Sequence, residues 1–150
     1  MVSVDRFTPS AQEAARRAAE VMQRYGYHQI DTEVQLLALL EQPQGAVPQL
    51  LEFLNVDAQA LTEGLDEVLR ADSKDDLVEV GPGQVAITPR VVHTIDQAIA
   101  ETARLGDELI SDEHLFLAMF SEQNTPAARL LEEAGLTHAR VDEAIRQMRG

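Results

Sequence analysis

Two glutamates stand at the head of two matching apolar segments, and they are the residues in this sequence that could do chemistry as a pair. Glu33 precedes "VQLLALL" and Glu113 lies just before "HLFLAMF". Two carboxyl groups brought to one surface could exchange protons with a substrate or bind a cationic group. An acid in the first turn of a helix also complements the helix dipole by roughly 0.3–1 kcal/mol, without any further role. Choosing between these interpretations requires the elements that position the two glutamates.

No other motif in the sequence predicts catalysis. The sequence contains no G-x-x-x-x-G-K-[ST], no G-x-S-x-G and no H-E-x-x-H, so phosphate-binding loops, hydrolase elbows and zinc-protease helices are not predicted. The four histidines never stand four residues apart, and Cys is absent, which excludes disulfides and Cys nucleophiles. We therefore expect no metal, no cofactor and no enzymatic activity in this chain.

The charge balance is strongly acidic, with 12 basic against 26 acidic residues and a formal net charge of −14. Binding to nucleic acid needs a basic patch, so nucleic acid is not expected as a partner, whereas a cationic partner is compatible with this surface. The sequence has neither an apolar stretch of membrane-spanning length nor a signal-peptide pattern in "MVSVDRFTPS". These features predict a cytoplasmic protein without a membrane partner.

The chain is an internal duplication with a constant offset of 80 residues. "FTPSAQEAARRAAEVMQRYGYHQIDTE" aligns with "ITPRVVHTIDQAIAETARLGDELISDE", and the register continues to the end without a gap. Glu33 corresponds to Glu113 in this alignment. Two copies of one unit most simply pack about a pseudo-twofold axis, which could bring the two glutamates to one shared surface.

Each copy predicts four helices. Thr8-Pro9 and Thr88-Pro89 provide an N-cap hydroxyl followed by proline, which starts the first helix. The second helix carries Glu33 or Glu113 and is apolar on nearly all sides, so it should be the buried centre of its copy. At its predicted start Thr32 and Gln35 have capping-box spacing in the first copy, and Ser111 or Asp112 can cap the helix in the second. The third and fourth helices follow around "AVPQLLEFL" and "PAARLLEEA", and after Asp57 and Thr137.

The fold class predicted from these patterns is all-α, with two pseudo-twofold-related four-helix repeats packed as one domain of eight helices. The first repeat spans residues 1–70 and the second spans residues 87–150. Residues 71–86, "ADSKDDLVEVGPGQVA", are polar, acidic and interrupted by Gly81-Pro82-Gly83, which predicts a linker.

The segments "RFTPSAQEAARRAAE", "GYHQIDTEVQLLALL" and "ISDEHLFLAMF" resemble the duplicated N-terminal domain of the Clp chaperone and unfoldase family, in particular ClpB and ClpC. The resemblance extends from about Asp5 to Met148 and includes the two-copy spacing. Three positions depart from the family pattern: Val34 stands where the first copy usually has His, Ile87 replaces an aromatic residue, and Asp112 replaces Thr or Ser.

The resemblance implies a substrate- and adaptor-binding module that is tethered to the ATPase domains of a Clp hexamer and engages unfolded or aggregated client proteins. Thr8, Asp107 and Glu113 match a polar cluster that contributes to substrate binding in ClpB-like members. Glu33 and Glu113 match the glutamates that grip the guanidinium of phosphoarginine in ClpC-like members. We expect both glutamates to be ionised and exposed at helix N-termini. The alternative is a free-standing regulator that sequesters adaptors or modified proteins.

Overall fold

The computed structural model describes residues 4–71, 74–75 and 79–150, and within these ranges the chain forms eight α-helices and two very short strands. The all-α fold predicted from the sequence is confirmed. No helix in these ranges is both long enough and apolar enough to cross a membrane. The elements are α1 (Pro9–Arg24), β1 (Gln29–Ile30), α2 (Thr32–Glu41), α3 (Ala46–Phe53), α4 (Ala58–Ala71), β2 (Ala86–Ile87), α5 (Pro89–Leu105), α6 (Asp112–Met119), α7 (Pro126–Glu133) and α8 (His138–Arg149).

The helix starts follow the local signals in the sequence. Thr8 caps α1 by accepting a hydrogen bond from the backbone N–H of Ala11 at 3.1 Å, and Thr88 caps α5 in the same way through Val91 at 3.3 Å. At α2 the predicted Thr32–Gln35 capping box is wrong. Asp31 is the N-cap instead, and its Oδ1 accepts from the N–H of Thr32 at 2.8 Å. The carboxylate of Asp31 is the stronger acceptor, and Arg90 and Thr88 of the other copy bind it and hold it in place.

The helices α2 and α6 form the centre of the domain, which confirms their predicted burial. Leu36 and Phe116 are fully buried, and Leu37 and Leu117 are each 1% exposed. In the first copy α1 packs on α2, and in the second copy α5 packs on α6. Because both central helices are surrounded by protein, Glu33 and Asp112 at their N-termini contact residues of the other copy.

The two copies exchange backbone hydrogen bonds in front of their first helices. In the first exchange β1 pairs in parallel with β2, so that Ile30 lies opposite Ile87. The pseudo-equivalent positions, Phe7 and Ile110, form the matching bridge on the other side. The carbonyl of Ile110 accepts from the N–H of Thr8 at 2.9 Å, and that of Ile30 accepts from Thr88 at 3.0 Å. This reciprocal pairing holds the two repeats in one domain around the pseudo-twofold axis.

The predicted division of the chain at residues 70 and 87 stays a prediction. The helix α4 ends at Ala71 and β2 begins at Ala86, so the described residues between them include no helix or strand of their own. Residues 72–73 and 76–78 of the predicted linker lie outside the described residues.

Candidate functional site

Two acids of the second copy converge on one arginine side chain, and we call this group of residues the second acid pocket. Asp107 lies in the turn after α5, where Gly106 has a φ of 75° that ends the helix, and Glu113 lies in the first turn of α6. Arg149, the last residue of α8, donates from Nη1 to Oδ1 of Asp107 at 3.2 Å. Its Nη2 donates to Oδ2 of Asp107 at 2.9 Å and to Oε1 of Glu113 at 2.8 Å. The pocket therefore holds one guanidinium against two carboxylates.

His114 is buried beside the second acid pocket and orients Asp107. Its side chain is 2% exposed. The backbone N–H of Ser111 donates to Nδ1 of His114 at 2.8 Å, so Nε2 carries the proton and donates to Oδ2 of Asp107 at 2.7 Å. The position of the Asp107 carboxylate is thus fixed by His114 as well as by Arg149.

Asp107 and Arg149 in the second acid pocket each stabilise the ionised form of the other. Burial raises the pKa of the Asp107 carboxyl, but the hydrogen bonds from Arg149 and His114 outweigh burial and leave the pKa below its ordinary value. The hydrogen bonds to Asp107 and Glu113 raise the pKa of Arg149. The pocket therefore favours a permanent cation with several donors in one plane, which is the chemistry of a guanidinium.

Glu33 occupies the equivalent position in the first copy, but its surroundings differ. The residue is only 7% exposed, so the expectation that Glu33 is exposed is wrong. Its Oε2 accepts from the hydroxyl of Thr32 at 2.9 Å and from the backbone N–H of Ala127 at 3.1 Å. Ala127 belongs to the first turn of α7 in the other copy, so Glu33 caps a helix that is 94 residues away in the chain.

Asp112 makes the reciprocal contact from the second copy to the first. It is 3% exposed, and its Oδ2 accepts from the backbone N–H of Ala46 at 2.7 Å and from the hydroxyl of Ser10 at 2.9 Å. Ala46 is the first residue of α3. Sequence reasoning considered Asp112 only as a cap for its own helix. The sequence signal was the pair of adjacent acids in "SDEH". Asp112 stabilises the packing of the two copies, while Glu113 belongs to the second acid pocket.

A cavity of about 210 Å³ lies beside Glu33, and we call it the first acid pocket. Lys74 and Arg90 lie at its edge: the ammonium of Lys74 is 4.3 Å from the ring centroid of Tyr27, and Arg90 pairs with Asp31. The described residues include no group of three or more acidic or histidine side chains that could hold a metal ion. The cavity is lined by Tyr27, Gln29, Asp31, Glu33, Val34, Leu69, Asp75 and Thr88.

Thr8 is not part of the second acid pocket. Its hydroxyl caps α1, and its backbone N–H is bonded to Ile110, three residues before Glu113. The hydrogen bonds of the described residues include none between Thr8 and either Asp107 or Glu113. Of the four residues predicted for the site, Asp107 and Glu113 are therefore brought together, Thr8 is bonded to Ile110 instead, and Glu33 lies in the other pocket.

An apolar groove between α1 and α5 was not predicted from the sequence. It encloses about 130 Å³ and lies on the pseudo-twofold axis, because pseudo-equivalent residues of both copies line it. The sequence signal for the groove is the run of small residues along α1. These residues leave space between α1 and α5 that larger side chains would fill. The lining residues are Phe7, Ala11, Ala14, Ala15, Ala18, Ile30, Gln35, Leu39, Ile87, Val91, Ile95 and Leu115.

Comparison with known proteins yields one family and several relatives of the same fold. The family profile described as the Clp repeat (R) N-terminal domain matches residues 6–134. The chaperone protein ClpB of Nitratidesulfovibrio vulgaris, strain Hildenborough, is 28% identical over 150 residues, which covers 99% of this chain and 17% of that relative. The chain thus spans about a sixth of the length of the curated relatives it matches.

Two solved structures illustrate the shared architecture. The N-terminal domain of Hsp104 from Candida albicans superposes with a TM-score of 0.77 at 16% identity, covering 96% of this chain and 91% of that one. A ClpV N-domain, solved in complex with a VipB peptide, superposes with a TM-score of 0.66 at 16% identity, covering 87% and 79% of the two chains. At these identities the likeness shows the fold.

Proposed function

The chain belongs to the Clp repeat (R) N-terminal domain family, and from this membership we propose that it is the substrate- and adaptor-binding module of a Clp-type AAA+ unfoldase or disaggregase. In this role the chain works in the cytoplasm beside the ATPase domains of a Clp hexamer and does no catalysis itself. Its clients are unfolded, aggregated or arginine-phosphorylated proteins. The peptide bound to the structurally similar ClpV N-domain supports peptide binding by this fold.

The observation that carries the ligand class is the guanidinium held between Asp107 and Glu113. A planar fork of donors satisfies both carboxylates at once, which an ammonium on a flexible stem does less well. The ligand that best suits this geometry is an arginine side chain in a client segment. The acidic balance of the chain favours the approach of such cationic segments through long-range attraction.

The first acid pocket supports recognition of phosphorylated arginine. That ligand combines a guanidinium with a phosphate, so it requires acids and donors within one site. Asp31, Glu33 and Asp75 line the cavity, while Lys74 and Arg90 lie at its edge. The N–H groups at helix N-termini provide further donors for the phosphate.

The apolar groove supports binding of unfolded segments, because these expose apolar side chains that folded proteins bury. Ala15 lines the groove but is itself exposed, so a charge can be placed there without emptying the core. We expect Ala15→Asp to weaken the binding of an unfolded model substrate and to leave arginine peptides unaffected.

The test is calorimetric titration of three ligands against the purified chain: a phosphoarginine peptide, the same peptide with arginine, and an unfolded model substrate. We expect Glu113→Ala to lower the affinity for both peptides about tenfold, since a charge-assisted hydrogen-bonded pair contributes roughly 1.5–3 kcal/mol. Glu52→Ala, on the exposed side of α3, removes the same charge elsewhere and serves as the matched control. A folded Glu33→Ala, Glu113→Ala double variant that binds all three ligands like the wild type would contradict the proposal.

A further inference from the structure

The two acid pockets differ in what fills them. Leu69 and Arg149 are pseudo-equivalent residues, at the offset of 80, near the ends of α4 and α8. Leu69 lines the first acid pocket and leaves a cavity of about 210 Å³. In the second acid pocket the corresponding side chain extends a guanidinium onto Asp107 and Glu113. One pocket is therefore open, and the other already contains an arginine from the chain itself.

Arg149 is placed so that it can leave without unfolding the domain. It is the last residue of α8, and its side chain is 39% exposed. The residues that anchor α8 in the core, Val141, Ala144 and Ile145, lie in its first two turns. A partly exposed ion pair contributes little net free energy, so the side chain of Arg149 can turn out to solvent while these anchors stay in place.

The groups behind the guanidinium keep the pocket formed when the arginine departs. His114 is buried, and it continues to donate to Asp107 because Ser111 holds its ring from the other side. The neighbouring arginine on α8, Arg146, pairs with Asp142, and the hydrogen bonds of the described residues include none from Arg146 to Asp107 or Glu113. Arg149 is thus the group whose position decides whether the second acid pocket is occupied.

We propose that Arg149 is an internal competitor for the second acid pocket, so that a client arginine binds there by exchanging with it. This inference rests on the proposed function, since it concerns regulation of the same site. A tethered group acts at an effective concentration in the millimolar range, so a single client arginine competes poorly. Segments held by a second contact, in the first acid pocket or the apolar groove, displace Arg149 more readily. The consequence is selection for clients that engage two sites.

The experiment compares the wild-type chain with Arg149→Ala, Arg149→Lys and Arg146→Ala by calorimetric titration of a capped peptide carrying one arginine. We expect Arg149→Ala to bind the peptide about tenfold more tightly than the wild type. Arg149→Lys should fall between them because lysine keeps the charge but loses the planar fork. Arg146→Ala, the matched control on the same helix, should match the wild type. Circular dichroism before each titration verifies that the variants are folded.

Two further measurements separate this inference from the proposed function. The Arg149→Ala, Glu113→Ala double variant should lose the gain in peptide affinity expected of Arg149→Ala. This loss would locate the tighter binding in the second acid pocket. Side-chain NMR of arginine should show the Arg149 signal shifting towards that of a free arginine as the peptide is added. If the wild type binds and Arg149→Ala binds equally or more weakly, the competitor role is overturned while the proposed function stands. If no variant binds the arginine peptide, the competitor role is overturned together with the guanidinium ligand class of the proposed function.

Discussion

Replacing Glu33 should destabilise the domain far more than replacing Glu113, although the two glutamates are pseudo-equivalent. Glu33 is 7% exposed and accepts hydrogen bonds from the hydroxyl of Thr32 and the backbone N–H of Ala127. In the Glu33→Ala variant the buried N–H of Ala127 has lost its acceptor. The hydrogen bond made by Glu113 goes to Arg149, and both of those side chains contact solvent.

The expected magnitudes follow from these contacts. An unsatisfied buried donor costs about 1–3 kcal/mol, and loss of the acid at the N-terminus of α7 adds about 0.3–1 kcal/mol. Glu33→Ala should therefore lower the free energy of unfolding by about 1.3–4 kcal/mol, with a fall in Tm of roughly 3–16 °C. Glu113→Ala removes a surface ion pair and should cost about 0–1 kcal/mol. Glu33→Gln keeps an acceptor oxygen for Ala127 and should lie between the two.

The assay is urea unfolding followed by far-UV circular dichroism, with wild type and the three variants measured side by side. The free energies are obtained by linear extrapolation, and equal slopes across the variants verify that the unfolded states are comparable. A Glu33→Ala variant as stable as Glu113→Ala, within about 0.5 kcal/mol, would show that the capping of α7 by the other copy contributes nothing. The same result would remove the reason for treating the two glutamates differently.

Two further predictions concern the core and the response to acid. Leu117→Ala should lower the free energy of unfolding by about 2–5 kcal/mol, because Leu117 is 1% exposed and its truncation leaves a cavity in the core. Leu109 is 43% exposed, so Leu109→Ala should change the free energy of unfolding by less than about 0.5 kcal/mol in the same urea assay. The pKa values of Asp31 and Asp107 are lowered because their hydrogen bonds, chiefly from Arg90 and Arg149, outweigh the effect of burial. The unfolded chain therefore binds more protons, and the stability these acids supply is present above about pH 4 and is lost as the pH falls below it. Urea unfolding between pH 6 and pH 3 should show the difference between wild type and an Asp31→Asn, Asp107→Asn variant shrinking with acid, and a constant difference would contradict this assignment.

The helices and their order were predictable because their signals are local. Capping hydroxyls such as Thr8 and Thr88 act on amides three residues away, and the apolar character of the central helices is a property of ten consecutive residues in α2 and eight in α6. The N-cap of α2 was predicted wrongly because two neighbouring residues, Asp31 and Thr32, carry suitable oxygens. The choice between them depends on Arg90 and Thr88 of the other copy, which also bind Asp31.

The sequence by itself determined that the domain is duplicated, all-α and acidic, because an aligned repeat and short-range patterns depend only on neighbours along the chain. Tertiary structure decided what each acid does. Glu33 and Glu113 occupy the same place in the repeat, yet one is buried against α7 and the other binds an arginine 36 residues away. The role of a carboxyl group is set by the donors that reach it, and here those donors come from segments distant in the chain, which tertiary packing brings close between the copies for Glu33 and within the second copy for Glu113.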